Sequence, residues 1–290
     1  MSKKTLPVYN IKDFKDPEHG TDFYANSMKR HLRDHHIILT PHKHDFFLTV
    51  LFTKGSGTHE IDFTNYKVEP GAIFMLRPGQ THNWKLSKET DGFVFFHTKD
   101  FYDSRSVTEK TQDFPFFSSI HNPPLLLLKN KRKEKIEDLF SEIKKEYEEN
   151  NLLKFQKLYS LVALTYIELT RSYQPQKQIK SEIYLLKLRQ LEDLIDKNYK
   201  NIKAPHHYAK MMAMTEKHLN RICNTCLNKT TTELISNRVI LEAKRLLTHS
   251  KVPINQVAEE LGYLDNSYFS RFFKKQTGQS PLDFMRAQRR

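Results

Sequence analysis

The stretch Pro253-Ile254-Asn255-Gln256-Val257-Ala258-Glu259-Glu260-Leu261-Gly262-Tyr263-Leu264-Asp265 runs directly into Asn266-Ser267-Tyr268-Phe269-Ser270-Arg271-Phe272-Phe273-Lys274-Lys275. Together they carry two helices and the turn between them. Pro253 suits a first helical turn, where a missing amide goes unnoticed, and Val257, Ala258 and Leu261 return at helical spacing to make one apolar face. Gly262 supplies the sharp turn that joins two steeply crossed helices. Asp265 is a good N-cap, so the second helix is predicted to run from there through Gln276. Its outward positions are Ser267, Ser270, Arg271 and Lys274, at i, i+3, i+4 and i+7.

The same plan recurs upstream. Sliding the sequence by 50 residues lays Leu219, Ile222 and Cys223 on Phe269, Phe272 and Phe273, and Arg221 on Arg271. Leu227-Asn228 then falls on Thr277-Gly278, where a helix should stop, and Asn and Gly are the two residues best suited to a left-handed C-terminal cap. The outward stripe of this first copy is Lys217, Asn220, Arg221 and Asn224, after Thr215 as N-cap. From Ser181 onward glycine is scarce and helical periodicity dominates. The segment therefore reads as two copies of one small helical unit, too few for a solenoid.

Helices with one polar stripe opposite one apolar stripe can enter the major groove of duplex DNA. There Arg forks onto guanine O6 and N7, and Asn onto adenine N6 and N7. Lys210, Lys229, Lys251, Lys275 and Arg286 surround the stripes and can neutralise phosphates. The bland alternative is that these are solvated faces of ordinary helices, but the distribution of charge favours the first reading. Residues 176–290 hold 21 Lys and Arg against 11 Asp and Glu, so +10 of the net +13 lies there. A net charge of this size by itself permits a nucleic-acid or a membrane-surface partner.

The run Ile254 to Tyr263, continuing through Ser267 to Lys275, then Thr277-Gly278-Gln279-Ser280-Pro281 and Phe284, resembles the C-terminal signature of the AraC/XylS family of transcriptional regulators. The similarity spans about Leu185 to Arg290. The second unit matches closely. In the first, Ala213 stands for the usual turn glycine, and Cys223 and Asn228 for the family's Phe and Gly. The resemblance implies that one long helix, here about Thr231 to Leu247, holds both units so that their recognition helices reach successive major-groove segments on one face of the DNA. It also implies base-reading roles for Lys217, Asn220 and Arg221, and for Asn266, Ser267, Ser270 and Arg271. Cys223 and Cys226 form a Cys-x-x-Cys pair that suggests zinc or redox chemistry. Cys223, however, takes the apolar position of Phe273, and zinc would need two further ligands, so buried packing is the preferred reading.

The front of the chain differs in composition, holding 16 of the 20 phenylalanines. From about His36 to Tyr102 apolar residues alternate, as in Phe46–Thr53, Thr58–Phe63 and Phe93–Phe96. Gly55-Ser56-Gly57, Asn65, Pro70-Gly71 and Pro78-Gly79 punctuate them, which predicts an antiparallel sandwich or barrel. After Pro123-Pro124 the period becomes helical. Ile136, Leu139, Phe140, Ile143 and Tyr147 form one stripe, and Phe155, Leu158, Tyr159, Val162, Tyr166 and Leu169 another, giving a helical hairpin. The polar run Gln174-Pro175-Gln176-Lys177-Gln178 reads as a linker. The expected fold class is thus α+β and multidomain: a cupin-like antiparallel β-barrel in residues 1–130, a helical hairpin for dimerisation in 131–175, and an all-α tandem helix-turn-helix in 176–290.

Pro41-His42-Lys43-His44, with Gly71 to Pro78-Gly79-Gln80-Thr81-His82, resembles the two cupin motifs. Three imidazoles are present, His42, His44 and His82. The carboxylate of a metal cupin is missing, since its place falls in Phe47-Leu48-Thr49. Zinc or iron on three His stays open as an alternative, but AraC-type sensor domains of this pattern commonly keep the motif without metal, so no metal or other cofactor is expected. The preferred reading is an organic effector pocket formed by His42, His44, Phe46, Arg77, His82 and Trp84. The single Trp beside a His suits a sugar or another flat ligand, and plain core packing is its rival.

No window approaches a membrane-spanning length, Lys3-Lys4 is followed by no secretory apolar run, and two cysteines make no disulfide framework. A cytoplasmic, DNA-binding, effector-controlled homodimer follows as the expectation, with promoter DNA as partner and RNA polymerase as a second if it activates. It is not expected to be an enzyme. The rivals are a metal-dependent cupin enzyme with an incidental helical tail, and a regulator that senses nothing.

Overall fold

The computed structural model describes residues 6–14, 22–118, 123–173, 182–249 and 252–288. The expected linker, Gln174 to Gln178, and Lys251 lie outside them. Two compact units are present, one of Pro7–Gln176 and one that contains Lys177–Arg290.

The first unit is built on strands β1 (Val8–Tyr9), β2 (Phe23–Ser27), β3 (Lys43–His44), β4 (Phe47–Lys54), β5 (Gly57–Ile61), β6 (Thr64–Val68), β7 (Ala72–Leu76), β8 (His82–Leu86), β9 (Asp91–His97) and β10 (Leu125–Leu127). A five-stranded antiparallel sheet runs β10-β7-β4-β9-β2, and a three-stranded one runs β6-β5-β8. His42 and His82 form an isolated antiparallel bridge, and His59 of β5 packs edge-on against Phe74 of β7, so the two sheets enclose a common interior. This is the cupin-like barrel.

Strand β4 is buried from Phe47 to Phe52 without alternation, because both of its faces are covered. Phe47 and Thr49 look outward to His97 and Tyr166, while Phe52 meets Phe74 in the interior. The cover is a hairpin of two helices, which follow α1 (Met28–Asp34) and α2 (Lys99–Asp103): α3 (Asn130–Glu148) and α4 (Lys154–Ser172). Phe140 of α3 packs on Phe93 and Phe95, and the buried Tyr166 hydroxyl of α4 lies 2.7 Å from His97 Nε2. The hairpin's apolar stripe is therefore spent on the sheet, within the same compact unit.

Both ends of the expected strand region, His36 and Tyr102, are helical. His36–Leu39 is a single 3-10 turn, and Tyr102 belongs to α2, whose N-cap Thr98 accepts from the Phe101 amide. Strand β2 precedes the region and completes the sheet; Phe23, Tyr24 and Ala25 are buried in succession, which leaves no alternation to read.

The second unit is helical: α5 (Glu182–Asn198), α6 (Pro205–Met211), α7 (Glu216–Leu227), α8 (Thr231–His249), α9 (Ile254–Glu260), α10 (Asn266–Thr277) and α11 (Pro281–Gln288). The long connecting helix α8 touches every other helix of the unit. It is fastened to α5 by Arg238, which donates to Asp196 at 2.6 Å and Glu242 at 3.1 Å and lies over the Tyr199 ring. Burial works against that guanidinium's charge, yet the two carboxylates outweigh it and hold it protonated.

The duplication extends to its caps. Asn228 and Gly278 both take the left-handed conformation, at φ 54° and 81°. Thr230 with Glu233, and Ser280 with Asp283, cap the next helices by the same exchange, 50 residues apart: each hydroxyl donates to the carboxylate and accepts from that residue's amide.

Candidate nucleic-acid interface and sensor interior

Each pair of helices, α6 with α7 and α9 with α10, meets at a turn fixed by backbone bonds. The amides of Met212, Ala213 and Met214 donate to Tyr208, Lys210 and Ala209, and those of Leu261, Gly262 and Tyr263 to Val257, Glu259 and Ala258. Gly262 sits at φ 77°, and a Cβ there would lie 1.9 Å from the Lys200 carbonyl, so only glycine fits. Ala213 takes the matching left-handed conformation at φ 50°, with an exposed side chain. Lys203 braces the region where these elements meet. Its ammonium donates to the carbonyls of Tyr199, Lys200 and Leu261 and lies 5.0 Å from the Tyr263 ring. Burial pushes its pKa down to about 8.

Thr215 Oγ1 accepts from the His218 amide, and Asp265 from those of Ser267 and Tyr268, so both recognition helices start at the residues the sequence predicted. Buried Leu219, Ile222, Cys223 and Cys226 form the inner face of α7, and Phe269 and Phe273 that of α10. Lys217 and Arg221 are exposed on α7; Asn266, Ser267, Arg271, Lys274 and Lys275 are exposed on α10, and Ser270 is half-buried. Lys210, Lys229 and Arg286 are exposed as well.

Asn220 departs from this pattern. Its Oδ1 accepts from the Thr231 amide at 3.0 Å, so the acceptor needed for a fork onto adenine is engaged in starting α8. The equivalent of Thr231 in the second copy is Pro281, which has no amide to satisfy. A serine, Ser270, can therefore stand where Asn220 stands. Both cysteine thiols are buried, which raises their pKa, and Cys223 also lies 3.5 Å from Thr231 Oγ1.

In the barrel, His42, His44, Phe46, His82 and Trp84 are all buried and adjacent, whereas Arg77 stays half-buried at the β7–β8 turn. His44 stacks on Phe46 with ring centres 4.4 Å apart, and Phe46 on Phe96 at 4.3 Å. His59 completes the cluster, cross-strand from Trp84. Alternation along β5 placed it inward with Ile61, which was the signal available in the sequence.

One proton arrangement satisfies the imidazoles. His44 Nδ1 faces the Phe46 carbonyl at 3.1 Å and must donate, leaving Nε2 to accept from His82 Nε2 at 2.9 Å. His82 Nδ1 then accepts from His59 Nε2 at 3.0 Å. The chain ends at His59 Nδ1, a buried acceptor with no hydrogen-bond partner, and Trp84 Nε1 is a buried donor likewise without one. Burial, reinforced by the neighbouring imidazoles, holds His44 at about 3 and His59 and His82 well below the usual histidine value, so all three are neutral. Since His82 spends each nitrogen on a different ring, the lone pairs do not converge. Among the described residues no group of three His, Cys, Asp or Glu is arranged to hold a metal ion.

Comparison with known proteins bears on both units. An AraC-like ligand-binding-domain model matches residues 28–162, and a helix-turn-helix-domain model matches residues 208–287. The chain belongs to the AraC/XylS family. It is a transcriptional regulator with a ligand-binding domain and a helix-turn-helix DNA-binding domain. Among relatives of this AraC-family chain, the protein described as an uncharacterized HTH-type transcriptional regulator, YfiF of Bacillus subtilis, is 24% identical over 83% of this chain and 76% of its own. The arabinose operon regulatory protein of Escherichia coli is 22% identical, over 82% and 80%. Of solved structures, fatty-acid-bound ToxT of Vibrio cholerae aligns at 15% identity over 93% and 97% of the two chains, with a TM-score of 0.43. No helix among the described residues of the AraC-family chain is long and apolar enough to cross a membrane.

Proposed function

We propose that this regulator reads promoter DNA with α7 and α10 and responds to a small hydroxyl-bearing effector, a carbohydrate in the first instance, held in the barrel interior. For the DNA side, the supporting observation is the pair of outward stripes in matched positions: Lys217 and Arg221 on one helix, Ser267, Ser270 and Arg271 on the other. Lys274 and Lys275 follow as phosphate contacts, while Asn220 reads a base only by giving up its bond to Thr231. Arg271→Ala is expected to relax preference at one base pair and cost ~1–3 kcal/mol. Lys275→Ala should weaken all sequences alike and flatten the salt dependence. Equal losses on specific and random duplexes for Arg271→Ala would remove it from the base readers.

The effector side rests on the acceptor His59 Nδ1 and the donor Trp84 Nε1, which face one interior with no protein partner. A hydroxyl both donates and accepts, so it is the group that suits an acceptor and a donor alike, and the aromatic walls suit a sugar ring. The name of the arabinose-operon relative points the same way. His42, His44, Phe46 and His82 wall the site, and Arg77 guards its edge. Trp84, the sole tryptophan, provides the assay. Its fluorescence should shift on titration with one of a panel of monosaccharides and polyols, and Trp84→Phe with His59→Phe should abolish ligand-dependent thermal stabilisation. A panel without effect on either readout would overturn the carbohydrate assignment.

An effector acts by differing in affinity for two states of the regulator, and it alters operator affinity reciprocally. The protein works through binding rather than catalysis, in the cytoplasm, and as a homodimer whose paired sites raise effective concentration. Leu164 and Ile167 of α4, 41% and 44% exposed, offer the apolar contact for pairing. RNA polymerase is the further partner if the regulator activates.

A further inference from the structure

The turn between α9 and α10, Leu261–Asp265, is one residue longer than its counterpart between α6 and α7, Met212–Thr215. The backbone bonds of the two turns correspond pair by pair up to Met214 and Tyr263. From there Thr215 and Asp265 correspond as N-caps, so the added residue is Leu264. Its side chain is fully exposed, at 106% of the reference value, the highest among large apolar side chains of the described residues. A leucine left in water forgoes the burial that makes leucine favourable elsewhere in the unit.

Tyr268 lies in the first turn of α10 and is 57% exposed. Its ring is backed by Tyr263 at 5.9 Å, and Tyr263 in turn rests on Phe269 and Phe272 and beneath the Lys203 ammonium. Tyr268 is therefore supported from behind and open in front. Tyr268, Arg271 and Lys275 follow one another at i, i+3 and i+7 on one face of α10, and Leu264 lies in the turn immediately before its N-cap Asp265, so the exposed apolar pair stands at the entrance to the stripe assigned to base and phosphate contact. The apolar feature that the major groove offers to such a pair is the C5 methyl group of thymine.

We propose that Leu264 and Tyr268 read the thymine methyl group one or two base pairs from the guanine taken by Arg271. The proposal rests on α10 lying in the major groove. Along the helix Tyr268 precedes Arg271 by about 4.5 Å, close to one base-pair step of about 3.4 Å. The first copy lacks the inserted leucine, so this apolar reading belongs to the second half of the operator alone.

The test uses the full-length protein on a duplex recovered by selection from random DNA, with each thymine replaced singly by uracil, which lacks only the methyl group. Wild type should lose about fourfold in affinity, the value of one buried methyl, at one such position within two base pairs of the Arg271-dependent guanine. Leu264→Ala should bind the thymine duplex more weakly than wild type does and lose less than wild type on uracil, and Leu264→Ala combined with Tyr268→Ala should show no further loss on uracil. Restoring discrimination with Leu264→Ile would separate an apolar contact from a folding defect. Uniform indifference of wild type to uracil, or full thymine preference in Leu264→Ala, would overturn the proposal and leave Leu264 to a protein partner. If instead Arg271→Ala keeps its guanine preference, the placement of α10 fails, and the methyl reading fails with it.

Discussion

The chain His59–His82–His44–Phe46 makes each histidine answer for the next. His82→Phe keeps an aromatic ring but strands the His59 Nε2 donor and the His44 Nε2 acceptor in the interior, at about 1–3 kcal/mol for each unsatisfied group. We expect the sensor unit to lose about 2–6 kcal/mol in urea unfolding; a loss below about half a kcal/mol would contradict the bond chain. Buried histidines, those of the chain among them, also set the acid limit. His31, His44, His59, His82 and His97 have native pKa values below their unfolded value of about 6.5, at about 3 for His44 and about 4 for His97. The unfolded chain then binds protons first as pH falls. The stability contributed by neutral imidazoles is fully present above about pH 6.5 and drains as pH falls towards the native values, at ~1.4 kcal/mol per pH unit for each histidine. Denaturant midpoints measured from pH 8 to 4.5 should hold above neutrality and drop steeply below pH 6. A flat profile would mean that the histidines charge freely in the native state. Three of the cluster's imidazoles were legible from motif spacing, but His59 was not singled out, because its partners come from other strands and only tertiary pairing shows them.

The tandem units show where a repeat tolerates exchange. Gly262 and Gly278 are both left-handed, yet a Cβ meets the Lys200 carbonyl at the first and nothing within 4 Å at the second. Gly262→Ala should therefore cost more than about 2 kcal/mol, combining backbone strain with a steric clash. Gly278→Asn should cost less than about 1 kcal/mol, as Asn228 already performs that role in the first copy. Thermal melting of the two variants checks both, and equal shifts would refute the distinction. Helix boundaries, N-caps and left-handed caps were readable here because each depends on residues close in sequence. The function of Asn220 was not, since its bond to Thr231 serves an adjoining helix and only the comparison with Pro281 explains it. Strand β2 escaped for a related reason: burial on both faces erases the alternation that announces a strand.

Across the whole molecule, basicity and aromatic content divide between the same two units that the fold separates. Each has its own buried core, so residues 176–290 are expected to fold alone and to bind duplex DNA with strong salt dependence. A fragment that folds, by circular dichroism, but binds without salt sensitivity would sever the charge from the function. Composition made the division visible before any strand or helix was assigned, whereas the helical hairpin did not announce whether it would pack on the barrel or stand apart. Lys203 now bears on the operator itself. By holding the carbonyls of Tyr199, Lys200 and Leu261 with one ammonium, it ties the segment before α6 to the turn before α10. Two reading heads fixed in this way have a set gauge. An operator lengthened by one base pair between its two contacted segments should be refused, even with every contacted base in place, and Lys203→Met should accept it more readily at the expense of affinity for the original.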